Sequence, residues 1–177
     1  MRDIYRQTGP DTLNVTGVDA LNTKDPRTYH VRWAVDKRNV DTGETVTDVR
    51  EGNILLTVGI TELLNLLAGN VATPFNNANA AIAVGNGTTA ASTAQTDLTG
   101  GSKERQGMEP TYPQVSGNQI TWRAKFGTAK ANFQWNEYGV ANSVTSGAGV
   151  LLNRKVESLG EKTASDEWTL TITITLS

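Results

Sequence analysis

The sequence predicts a mainly β fold with one short helix, and three observations predict it. The 177 residues include 25 threonines and 17 glycines; threonine favours strands and glycine favours the turns between them. Alternation of apolar and polar residues recurs along the chain, most clearly where Trp168, Leu170, Ile172, Ile174 and Leu176 interleave with Thr169, Thr171, Thr173 and Thr175, the period of a half-buried strand. Only one segment, 57–68, has convincing helical spacing.

Residues 1–27 come first. Their apolar residues (Ile4, Tyr5, Leu13, Val15, Val18, Leu21) keep no sustained period, and Pro10 and Pro26 interrupt them. Two readings stand side by side: a frayed terminus, or an extended arm that orders on a neighbouring subunit, with Ile4, Tyr5, Leu13 and Val15 as its contacts. The domain proper spans 28–177. Tyr29, Val31, Trp33 and Val35 alternate with His30, Arg32 and Asp36 as a strand, Asp41-Thr42-Gly43 supplies a turn, and Thr45 to Val49 reads as the return strand.

The helix runs over 57–68. Ile60, Leu63, Leu64 and Leu67 form one stripe at i, i+3, i+4, i+7, expected to pack into the core. Thr57 is the expected N-cap and Gly69 the left-handed residue past the end. Residues 70–79 read as a polar loop, and 80–84 as a short apolar run. Residues 100–117, with two glycines at the start and prolines at 110 and 113, read as a long connection of the kind that is functional or mobile. Strands follow at 120–126, from Phe133 and Trp135 onward, at 150–156 and at 168–176. The last would be an aggregation hazard as an open edge, so it is expected to be paired on at least one side. Seven or eight strands and one helix make a β-sandwich, jelly-roll-like or related.

Composition narrows the function. With no cysteine and one histidine, disulfides, thiolate metal sites and cysteine nucleophiles are excluded, and no cofactor or metal is expected. Sixteen basic and eighteen acidic residues give a net charge of -2, which argues against a nucleic-acid or anionic-membrane binder. No run approaches the roughly 20 apolar residues of a membrane span.

Ala81-Ile82-Ala83-Val84-Gly85-Asn86-Gly87-Thr88-Thr89-Ala90 matches the pattern of a dinucleotide-binding turn. The residues that follow lack the apolar stripe of the helix such a site needs, so a glycine-rich turn is the expectation. His30 reads as a solvent-facing strand residue, and no serine lies in a nucleophile-elbow pattern. Glu137 shares parity with Phe133 and Trp135, and Arg154 with Leu152 and Val156, so each charge points toward an apolar face unless a bulge intervenes. A lone buried charge is costly, so one expectation is a structural ion pair between Glu137 and Arg154, at the edge of the core or in an interface. The other is two solvated residues beyond a bulge.

An ordered set of motifs extends over most of the chain after residue 27: Asn53-Ile54-Leu55-Leu56-Thr57-Val58-Gly59-Ile60, then Leu63-Leu64 and Leu67-Ala68-Gly69, then 81–90 with Thr96-Asp97-Leu98, then 120–126, Phe133-Gln134-Trp135-Asn136-Glu137, Leu151-Leu152-Asn153-Arg154-Lys155 and 168–176. This order resembles small virion proteins of tailed bacteriophages. The resemblance implies a non-enzymatic capsid cement (decoration) protein on the capsid surface, partnered by the major capsid protein and by copies of itself. Alternatively it implies a tail or baseplate component partnered by other tail proteins. A virion-associated glycan-cleaving enzyme is a distant third. The resemblance carries no catalytic residues.

Overall fold

The computed structural model describes residues 28–177. Two five-stranded antiparallel sheets face each other. One contains β1 (Tyr29–Asn39), β2 (Thr45–Glu51), β6 (Gln114–Ser116), β7 (Gln119–Phe126) and β10 (Asp166–Leu176), in the order β2-β1-β10-β7-β6. The other contains β3 (Ile54–Leu55), β4 (Ala81–Gly85), β5 (Lys103–Gly107), β8 (Gln134–Ala141) and β9 (Asn153–Glu161), in the order β3-β9-β8-β4-β5. The β-sandwich is the expected architecture. Its connectivity is built from hairpins that stay within one sheet, namely β1–β2, β4–β5, β6–β7 and β8–β9, where a jelly roll carries most consecutive strands across from one sheet to the other.

The alternating run at the end of the sequence becomes β10, which lies at the centre of its sheet and pairs with β1 on one side and β7 on the other. Its apolar residues Trp168, Leu170, Ile172 and Ile174 are buried, and the threonines between them are half-buried on the outer face. Register aligns these residues across the sheet, so that Ile172 lies between Trp33 and Trp122, and Leu170 between Val35 and Ala124. Burying each aliphatic side chain of this kind contributes about 1.5–3 kcal/mol. The opposite sheet meets them with Ile82, Val84, Trp135, Tyr138, Val140 and Leu159. Aromatic edges lock the two layers: Trp33 meets Tyr138 at 4.7 Å, and Trp135 meets Phe126 at 4.8 Å and Trp168 at 4.9 Å, separations at which T-shaped pairs are favourable.

The second sheet also has a covered outer face. Ala83, Ala141 and Leu151 are buried there with Leu56 and Leu98, beneath the start of the helix and the loop that follows β4. The connection expected over 100–117 is more ordered than its composition suggests. It holds β5, which completes the edge beside β4, and β6, which forms a hairpin with β7. The charged run Lys103-Glu104-Arg105 has no apolar alternation, so β5 is held by its backbone ladder and by the polar bonds of these side chains, not by a greasy face.

The helix α1 spans Thr57–Ala68, and Gly69 closes it in the left-handed conformation (φ 70°), both as expected. Its cap and its face differ from expectation. Leu56, not Thr57, occupies the N-cap position, and no side chain among the described residues caps the helix. Tertiary backbone bonds fix its start instead: Leu56 N–H donates to Leu152 O at 3.0 Å, and Thr57 N–H donates to Thr93 O at 2.9 Å. The leucine stripe faces away from the core. Ile60 is 41%, Leu63 37%, Leu64 59% and Leu67 83% exposed. The reason lies at Gly59, the only buried residue of the helix. A Cβ there would run into the backbone of Leu152, so the helix approaches the sheet through its smallest residue and turns its leucines outward.

Candidate functional site

Glu137 and Arg154 are brought together. Both side chains are fully buried, and Arg154 Nη2 lies 2.6 Å from Glu137 Oε2, with Nε donating to the same oxygen at 2.7 Å. Their setting differs from a pair at the edge of the aromatic core. The ladder between β8 and β9 slips between Trp135 and Glu137. Trp135 therefore points between the sheets, while Glu137 lies under the loop after β4 on the other face.

That loop is the glycine-rich turn. Glu137 Oε1 accepts N–H bonds from Gly87 at 3.1 Å, Thr99 at 3.0 Å and Gly100 at 2.6 Å. Arg154 extends the cluster to Gln95 Oε1 at 2.8 Å, Thr89 O at 2.9 Å and Thr99 Oγ1 at 3.0 Å. The resemblance to a phosphate-binding turn has a physical basis: converging backbone N–H groups make a cavity for an anion. Here the anion is the chain's own carboxylate. The glycines are needed for that approach, since a Cβ on Gly85 would sit 2.7 Å from Glu137 Oε1, and one on Gly87 would overlap the same oxygen.

Burial acts to raise the Glu137 pKa, but the N–H groups of Thr99 and Gly100 and the Arg154 guanidinium outweigh it, and the carboxyl is held below its ordinary value. A second cluster behaves alike. Burial also opposes ionisation of Asp97, and Lys103 (3.0 Å) and Arg105 (2.9 Å) overcome it. Arg105 is itself buried and donates from its other terminal nitrogen to Ser143 O, Thr145 O and Ala148 O. A general acid needs a raised carboxyl pKa, and these two are shifted in the opposite direction. Their work is to tie loops 86–102 and 143–149 onto the second sheet.

Because both carboxyls are depressed, their stabilisation is fully present above the unfolded-state carboxylate pKa of about 4 and is lost as pH falls through the lower folded values. The unfolding midpoint is therefore expected to stay nearly flat from neutral pH to about pH 5 and to drop below about pH 4. The fall should be shallower for Glu137→Gln, and thermal melts across that range check it. Equal slopes for the two proteins would remove Glu137 as a source of the acid sensitivity.

Lys162 has a buried amine that donates to Gly127 O and Asn132 Oδ1, both at 2.8 Å, and burial lowers its pKa. It pins the turn before β8. No local sequence pattern announces it.

The other notable surface is at the end of the sandwich beside α1. A groove of about 520 Å³ opens there, walled by Leu63 and Leu66 of the helix, Phe75 of the following loop, Ile120 and Ile174 of the first sheet, and Leu152 just before β9. Polar ties preset its shape. Trp122 Nε1 donates to Phe75 O at 3.1 Å, and Asn77 Nδ2 donates to Glu109 O and Tyr112 O. Above it stand Ile60, Leu64 and Leu67, with the fully exposed Val71 beyond the helix end. The sequence holds the ingredients of this groove, but its apolar residues come from segments spread from Tyr29 to Leu176 and no local pattern joins them.

His30 is exposed on β1 and lies 2.7 Å from Thr28 Oγ1. Ile4, Tyr5, Leu13 and Val15 fall outside the described residues. Among the described residues, no three His, Cys, Asp or Glu side chains are grouped to hold a metal ion. No protein-family model, curated protein or solved structure matches the chain.

Proposed function

We propose that this chain is a non-enzymatic structural protein of a tailed-bacteriophage virion, of the capsid cement (decoration) type, which binds the major capsid protein and copies of itself. The observation that carries the proposal is the outward apolar face of α1. Ile60, Leu64 and Leu67 stand exposed beside Val71, on a helix whose seating on the sheet leaves them no buried contact among the described residues. Contiguous exposed apolar surface of this kind marks a contact with another macromolecule. The ordered sequence motifs resembling phage virion proteins supply the class of assembly. The buried charges favour a structural role, since they are used to fasten loops and hold carboxyls ionised. Modest contacts suffice for a cement protein, because many copies on a repeating lattice add through avidity.

The test uses the virus that encodes the protein. Densitometry of purified particles should give many copies per head. A few copies at a single vertex would reject the cement reading in favour of a tail or baseplate component. The double substitution Leu64→Asp with Leu67→Asp should leave the unfolding midpoint almost unchanged, as surface changes do (within about 0.5 kcal/mol). It should strongly reduce loading onto heads lacking the native protein. Undiminished loading would remove α1 as the contact.

A further inference from the structure

The geometry points to an occupant for the groove beside α1: this chain's own residues 1–27, docked within the same molecule through Leu13 and Val15. The proposal concerns the groove and is independent of what the outer side of α1 meets.

The first argument is where the described chain begins. Thr28 is fixed at this end of the sandwich by reciprocal backbone bonds with Ser177. The next residue, Tyr29, is part of the groove wall, as is Leu176, its partner across the β1–β10 ladder. The described chain therefore begins at the rim of the groove. Leu13 lies 15 residues before Thr28, a stretch that reaches about 50 Å when extended, more than enough to return along the groove.

The second argument is chemistry. Apart from Asn76 and the Tyr29 hydroxyl, the groove wall is apolar or aromatic. Apolar surface continues past it to Val115 and Leu176, which are 73% and 60% exposed. Residues 1–27 carry Ile4, Tyr5, Leu13, Val15, Val18 and Leu21. Their charges cancel, with Asp3, Asp11, Asp19 and Asp25 against Arg2, Arg6, Lys24 and Arg27. Leu13 and Val15 are two apart, so in an extended segment both face the same side. A tethered ligand also competes at an effective concentration on the order of millimolar, which favours the same molecule over a second copy.

The experiment uses the full chain. It has no cysteine, so Thr16→Cys carries a nitroxide at one site and leaves Leu13 and Val15 intact. Paramagnetic broadening is read on the methyl groups of Leu63, Leu66, Ile120 and Leu152. These should lose most of their intensity, while Val46, near the far end of β1, keeps its own. A mixture of isotope-labelled protein without nitroxide and nitroxide-labelled protein without isotope should show no such loss. Leu63→Asp, at a position 37% exposed, should restore the intensities of Ile120 and Leu152 while leaving the rest of the spectrum in place. No broadening in the groove, broadening that survives Leu63→Asp, or broadening in the mixture would each overturn the proposal. The last would assign the groove to the terminal segment of another copy.

Discussion

Arg154→Ala is expected to destabilise the protein by about 3–5 kcal/mol, the range found when one partner of a buried ion pair is removed. Glu137 would be left ionised, fully buried and without its cation. The more informative variant removes both charges. Many buried ion pairs can be replaced by apolar residues at little cost, because the desolvation penalty disappears with them. Here Glu137 also accepts N–H bonds from Gly87, Thr99 and Gly100. The double variant Glu137→Leu with Arg154→Met would leave those donors unpaired, each costing about 1–3 kcal/mol. It should therefore remain well below the wild type in urea unfolding. Wild-type stability in the double variant would mean that the loop over Glu137 does not depend on the carboxylate.

Trp135→Ala should have an effect of similar size, about 3–5 kcal/mol, the usual range for deleting a large buried aromatic side chain. Trp135 is fully buried at the contact of the two sheets, with edges against Phe126 and Trp168. Its Nε1 donates to Ala131 O at 2.9 Å, across a turn in which Ala131 adopts a positive φ of 52°. Trp135→Phe separates the two contributions. It keeps an aromatic ring in the layer and gives up the indole hydrogen bond, so it should fall between the wild type and alanine. If phenylalanine proved as damaging as alanine, the hydrogen bond to the turn would dominate, and packing between the sheets would be secondary.

The strands were legible in the sequence wherever one face is buried and the other wet, as in β1, β7 and β10. There the side-chain period reports the environment directly. It failed for β5, an edge strand whose Lys103-Glu104-Arg105 run shows no greasy face and whose place is set by backbone pairing to β4. The bounds of α1 were readable, but its orientation was not. A leucine stripe ordinarily marks the buried side, and Gly59 reverses this by making the close contact with Leu152 itself. Parity brought Glu137 and Arg154 to attention as a possible pair. It put them on the wrong face, because the irregularity after Trp135 breaks the count of two on which parity rests. The groove beside α1 lay beyond local reading altogether, since its walls meet only after the sheets have closed.

The central place of β10 bears on how the molecule is made. It follows every other described strand in the sequence, yet both β1 and β7 hydrogen-bond to it. During synthesis the first sheet is a pair of separate hairpins with a missing middle, and ladders joining such distant segments form slowly. A ribosome that stops short of Asp166 releases two unsatisfied inner edges, the kind of surface that recruits strands from other chains. Completion of this sheet thus waits for β10, and a chain that lacks it leaves the inner edges of β1 and β7 open.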